Sequence, residues 1–592
     1  MLRASSCPMN NSARVIRKYL NSKPPRRPHP DKLDQKSERA LLGLVELAEE
    51  LHTTITPTPP IRSLTEEWES KVWPWILTWS RSILDNAYPT TVEGNDAVEM
   101  FLTAVPVLLV YPTLNPNVKY NRDATLRSVR RLLDSTPEIL AVATEMWFCA
   151  SEIGLSPMDV DTIATSAGLL LDSHTFESCT RDRSLTDLKI TGKVGQFFER
   201  VLKSERWDIA RVLVGGIPHA LSQRSTMVLT IGARLTFMTT LMYLPNPPHN
   251  SDSQPHARDF TSQGGVRWTT AILARLSSPS WSDPQDPNFV FAADCVRKSL
   301  VFIFWASYHD TYAMVSALEQ GLLVYIFKLR EIMLNDTILD LISLHLLHRP
   351  VWIRVVKSIR KIQKLGLQTE VDAPQLYNDK WNLLKSEAMR RYALVKNLDR
   401  PRRLCGNPDC PRGLVQLDTD HYSSYFRCSG CKIETYCSRE CQKSAWRAHH
   451  RYECEKARER MKSGDGWSIP TLEHRFVEHH IANDIKEHRD QILELYQEYL
   501  TAHPEDTAAP VIVLNYSKVP VKTTAISLPE ARHLLSDLDS QPKSLFEYGA
   551  QPREGSKFKW PLGLSSVPYG RVGKTDRPLL GLRIFPEAAL KT

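Results

Sequence analysis

Three cysteines and two adjacent histidines stand among charged residues in YCSRECQKSAWRAHHRYEC, the run from Tyr436 to Cys454. Thiolates and imidazoles at such spacings serve a nucleophile or a metal, and the wider pattern decides which. Of eleven cysteines, seven fall between Cys405 and Cys454: Cys405 and Cys410, Cys428 and Cys431, Cys437 and Cys441, then Cys454 behind the histidines. With one histidine these make eight ligands, enough for two tetrahedral sites. Zinc suits them, being borderline soft, redox-inert and indifferent to ligand-field geometry. Iron–sulfur ligation is the weaker alternative.

Helical phase separates the two sites. With the segment from Cys437 to Cys454 treated as one helix at about 100° per residue, Cys437 and Cys441 share a face and Cys454 lies far round the cylinder. Two ions are implied, one on each side. His450, four residues before Cys454, faces with it. His449 is rotated away by about 140°, so His450 is the expected ligand.

The motifs CSGC at Cys428 to Cys431 and YCSRECQ at Tyr436 to Gln442, then Trp446 and a histidine followed by a closing cysteine, resemble the MYND-type zinc finger. The resemblance covers about fifty residues, Cys405 to Cys454. It implies interleaved ligation: one zinc held by Cys405, Cys410, Cys437 and Cys441, the other by Cys428, Cys431, His450 and Cys454. Four residues separate the first pair, CGNPDC, where the family usually has two, and the seventeen from Pro411 to Arg427 exceed its usual gap. The resemblance also implies protein–protein contact, often with short proline-containing peptides of transcriptional regulators. Trp446 and Gln442 would then flank a peptide groove; packing of the small core is the other role open to Trp446. Four protein ligands at each ion leave no position for water or substrate, so the metal is expected to fold the module and not to catalyse.

Other chemical motifs fall short. Gly573 to Thr575, GKT, has Pro568 where a phosphate-binding loop needs glycine. His480, Asp484 and His488 recur every four residues and could share a helix face as metal ligands, but a solvated face is the plainer reading. SET-type lysine methyltransferases also carry MYND fingers, yet nothing resembles their NHSC segment, and no nucleophile elbow, kinase set or dinucleotide fingerprint occurs. The expected function is a non-enzymatic interaction adaptor. A SET-type methyltransferase and a nucleic-acid-binding helical protein are the alternatives.

The elements around the finger read as mainly α. The chain has 592 residues, 42% hydrophobic and 24% charged, so it is long enough for several cores and ordinary in composition. Apolar residues Leu41, Leu44, Val45, Ala48 and Leu51 recur at helical spacing, and similar runs follow through TPEILAVATEMWFCASEIG, RWTTAILARLSS and SALEQGLLVYIFKLREIM. The expected organisation is a disordered basic tail at 1–36, an α-solenoid-like helical-repeat domain at 37–397, the finger at 401–456 and an α+β unit at 470–592. In the last, PVIVLNYSKVP and LLGLRIF read as strands.

Charge and hydropathy limit the partners. The net charge of +8 is small for this length, so nucleic acid is not an expected partner. Locally, Arg354, Lys357, Arg360, Lys361 and Lys364 are interleaved with apolar residues in PVWIRVVKSIRKIQKLG, a basic groove or simply a solvated face, of which the second is favoured. No apolar run reaches the roughly 20 residues of a membrane span; SLVFIFWAS at Ser299 to Ser307 reads as a buried helix. The seven basic residues before Asp31 loosely resemble a transit peptide, though a basic tail is the blander reading. Without a secretory stretch, a reducing compartment, nucleus or cytoplasm, is expected.

Overall fold

A computed structural model describes residues 72–86, 136–179, 207–243, 255–329, 336–367, 375–396, 405–410, 426–463, 477–504, 510–531, 562–567 and 579–584, apart from some positions inside these ranges. A few helical positions within 39–48, 133–134 and 196–201 are described as well. The basic N-terminal tail and Gly573 to Thr575 lie outside the described residues.

The chain divides into two compact units, residues 1–247 with 254–302, and 248–253 with 303–592. The stretch expected as one helical domain, 37–397, thus contributes to both. The first unit contains α1 (Trp73–Asn86), α2 (Ile139–Glu152), α3 (Pro157–Cys179), α4 (Ile209–Gly215), α5 (Ile217–Ser222), α6 (Met227–Tyr243), α7 (Pro255–Ser262) and α8 (Gly265–Leu276). Helix α9 (Phe289–His309) runs from the first unit into the second. Helix α3 packs on α2 and α6, and from Ile139 to Ala150 every described position of α2 but Glu145 is buried, which is why its sequence shows little polar alternation. Inside this unit Arg234 is buried, donating to Asp161 at 2.6 Å and to the Val212 carbonyl at 2.9 Å. Lys298 is likewise buried between Asp172 and Asp294, at 2.8 and 2.7 Å. A regular repeat of hairpins is not established by these pairings.

In the second unit come α10 (Thr311–Glu319), α11 (Leu322–Lys328), α12 (Asp336–Leu344), α13 (Arg349–Lys364) and α14 (Gln375–Lys396). The run SALEQGLLVYIFKLREIM is two helices and not one: Gly321 takes φ +96°, a left-handed turn that glycine enters without steric cost. Within SLVFIFWAS, Phe302, Ile303 and Ala306 are buried, and no described helix is long and apolar enough to cross a membrane. Beyond the finger, α17 (Arg489–Ala502) follows its N-cap residue His488. The strands β3 (Val511–Asn515), β4 (Lys522–Ile526), β5 (Leu562–Val567) and β6 (Leu579–Ile584) form one mixed sheet ordered β4-β3-β5-β6, with β3 and β5 parallel.

One apolar cluster joins Leu347 to Val477, Ile481, Ile485, Ile492, Ile512, Leu514 and Tyr516. The solvated-face reading of His480 and Asp484 is overturned here, because both are fully buried. Asp484 accepts from Arg390 at 2.7 Å and from the Tyr516 hydroxyl at 2.9 Å, so its carboxylate is committed to an ion pair. The local spacing could not reveal that Arg390, far away in sequence, supplies the charge that lets Asp484 be buried.

Candidate metal centre

The finger is built on a two-stranded ribbon and one interrupted helix. Strand β1 (Phe426–Arg427) pairs antiparallel with β2 (Thr435–Tyr436), and the Cys428 amide continues the ladder by donating to the Glu434 carbonyl at 2.9 Å. That hairpin delivers Cys428 and Cys431 at its turn and Cys437 just past its second strand. The first pair is tied to the same ribbon, since the Gly406 amide donates to the Thr435 carbonyl at 2.7 Å. Within CGNPDC, buried Asn407 accepts from the Asp409 amide through its side chain and from the Cys410 amide through its carbonyl. This turn folds four intervening residues tightly enough for both cysteines to reach one point.

The helix begins later than the phase argument assumes. Cys437 precedes it, and Ser438 is the N-cap, its hydroxyl accepting from the Cys441 amide at 3.1 Å. Helix α15 (Arg439–Ala445) passes into a π turn at Trp446–His450 and then α16 (Arg451–Ser463). The wider turn changes the phase between Cys441 and His450, but the spacing from His450 to Cys454 survives.

Eight side chains converge as two groups: Cys405, Cys410, Cys437 and Cys441, and Cys428, Cys431, His450 and Cys454, each with its ligand atoms within 4.8 Å of one another. All eight are buried. In the first group the Sγ atoms of Cys410 and Cys437, Cys437 and Cys441, and Cys441 and Cys410 lie 3.5, 3.6 and 3.7 Å apart. In the second, Cys428 and Cys454 Sγ are 3.7 Å apart, as are Cys431 Sγ and His450 Nε2. Zinc–sulfur bonds of about 2.3 Å set tetrahedrally give sulfur–sulfur edges of about 3.8 Å. A disulfide would bring the sulfurs to about 2.05 Å. The two groups therefore fit two zinc ions, and the interleaved order means neither site is completed by one segment of chain.

His450 is buried and His449 only partly so. The His450 ring lies edge-on to Tyr436 and Trp446, at 5.7 and 5.8 Å between centroids. Burial lowers its pKa, which favours the neutral imidazole a metal needs. Burial also pushes the Cys454 thiol up to about 12, with neighbouring sulfurs adding to the shift. In Cys441 burial is outweighed by hydrogen bonds from Asn407 and the adjacent thiols, and its pKa falls to about 7.

Sequence reasoning missed Gly430. A Cβ there would stand 2.9 Å from the Cys454 sulfur and 3.7 Å from that of Cys428, so the second site closes only over a glycine. The signal was present in CSGC, where a glycine precedes a ligand. Among the described residues of the finger, three aromatic side chains remain exposed: Phe426 at 53%, Trp446 at 41% and Tyr452 at 63%.

Residues 405–454 match the MYND finger family, and the two ligand groups agree with that match. The chain carries a MYND zinc finger, a module that generally mediates protein–protein interaction. No curated protein matches the chain, and no solved structure does.

Proposed function

We propose that the protein is a non-enzymatic adaptor whose zinc-folded finger docks a peptide segment of a partner protein, a proline-containing one, in transcriptional regulation. The observation that carries this reading is the exposed Trp446 ring beside a metal centre with four protein ligands at each ion. Zinc with four protein ligands has no position for a substrate, so chemistry at the metal would require a ligand to leave. The surface is what remains to act. Trp446 offers a large apolar face held against His450, and Gln442, four residues earlier on the same helix, is half-buried and carries both amide donors and an acceptor. Aromatic anchors of this kind dominate small interfaces, and proline-rich segments present an extended backbone already ordered before binding.

The test is binding of the zinc-loaded full chain to an array of proline-containing and proline-free peptides, repeated with Trp446→Ala. The expected result is selective binding of proline-containing peptides, weakened at least tenfold in the variant with two zinc ions retained. Equal binding by both proteins would contradict the reading. Saturable binding of S-adenosylmethionine would replace it with the methyltransferase alternative.

A further inference from the structure

Helix α13 buries Val351, Trp352, Val355, Val356, Ile359 and Ile362 and contains no acidic residue. On its other side Lys357, Arg360, Lys361 and Lys364 are all exposed. They stand three or four residues apart, so like charges are neighbours on one face, an arrangement that disfavours the helix. Carboxylates of neighbouring helices do not answer them. Glu319 of α10 pairs with Arg354, Asp340 of α12 with Lys380, and Glu387 of α14 with Arg390. Among the described residues, Lys357, Lys361 and Lys364 have no ion-pair partner, and Arg360 lies over the Tyr392 ring, 5.1 Å from its centroid. Among the described residues, Glu319, Asp340 and Glu387 pair with other bases, and this row of cations is left open.

The composition of the face selects the partner. Its exposed positions from Lys357 to Lys364 are lysine, arginine and Gln363, and the apolar side chain exposed beside them is a single leucine, Leu365 at the C-cap. Protein interfaces concentrate their energy in aromatic and aliphatic anchors and are depleted of lysine, which this face does not satisfy. A membrane-surface helix needs its apolar side free, and that side of α13 is buried. A phosphate backbone needs only cations along a line. At about 1.5 Å per residue, Lys357 and Lys364 are about 10 Å apart along the axis. A duplex presents about six phosphate charges over that length.

We propose that the exposed face of α13 binds the phosphate backbone of double-stranded nucleic acid through Lys357, Arg360, Lys361 and Lys364, without reading base sequence. This surface is separate from the finger helix, so the finger's peptide and a nucleic acid would not compete for the same residues. Contacts to phosphates alone position a protein on a duplex and carry no sequence information.

Fluorescence anisotropy of the zinc-loaded full chain with a labelled duplex of about 20 base pairs, long enough to span the face, tests this across a salt series. Four phosphate contacts predict that log K falls with log salt at a slope near −3.6, about −0.9 per contact, for any duplex sequence. Lys357→Gln, Lys361→Gln and Lys364→Gln together should weaken binding tenfold or more and reduce the slope by about 3, with zinc content and helical circular dichroism unchanged. If the triple variant fails to fold, Lys361→Gln alone should reduce the slope by about 1. Absence of duplex binding at low salt, or an unchanged slope in a folded variant, would overturn the proposal. Tighter binding of a poly-glutamate peptide than of the duplex through the same lysines would also overturn it, in favour of an acidic protein partner.

Discussion

At Gly430 the finger has no room for a side chain, because a Cβ would press to 2.9 Å on the sulfur of Cys454. A free cysteine could swing aside, but one held by zinc cannot move without giving up its bond. Gly430→Ala should therefore lose about one of two zinc ions per chain, measured by atomic emission on purified protein. Retention of both would mean that the second site is looser than the sulfur positions indicate. The histidines make the complementary case. His450→Ala should lose about one ion and His449→Ala none, since only the His450 Nε2 reaches Cys431, at 3.7 Å. Equal loss from both variants would contradict the assignment. The ligands themselves were legible in the sequence, because zinc spacing is a local property of cysteine pairs. The demand on Gly430 was not, since it arises from Cys454 approaching across the fold.

At the scale of elements, helix α13 was legible for the same reason that Asp484 was not. Its apolar positions recur every three or four residues and its cations fill the rest, so one strip of sequence states both faces. Asp484, His480 and His488 show equally regular spacing, yet the first two are buried and Asp484 is held by Arg390 and Tyr516. Periodicity gives a face; it does not say what the face meets. The π turn at Trp446–His450 also escaped an argument based on one uniform helix, although the His450 to Cys454 spacing withstood it. Removal of the Asp484 carboxylate would leave buried Arg391 and the Arg390 side chain with less compensating charge and orphan the Tyr516 hydroxyl. Asp484→Ala should destabilise the second unit by about 3 kcal/mol, the lower end for breaking a buried ion pair, because Glu387 and Glu487 still reach Arg390. Chemical denaturation followed by tryptophan fluorescence checks this, and a change below about 0.5 kcal/mol, the size of an ordinary surface substitution, would show that the pair contributes little.

Over the whole molecule, the finger occupies a small part of the second unit, and both units are built mainly of helices. Metal replaces the hydrophobic core that a finger of this size lacks, which explains why charged residues are tolerated between its ligands. The adaptor reading depends on this cross-braced arrangement, because it is what fixes Trp446 against His450 and leaves its ring exposed. Zinc content in paired cysteine variants tests the arrangement most directly. Cys410→Ser with Cys441→Ser removes two ligands of the same ion and should leave one zinc per chain, whereas Cys410→Ser with Cys428→Ser removes one ligand from each ion and should leave none. The reverse result, no zinc in the first variant and one in the second, would mean that the pairs bind in sequence order and would contradict the interleaved finger.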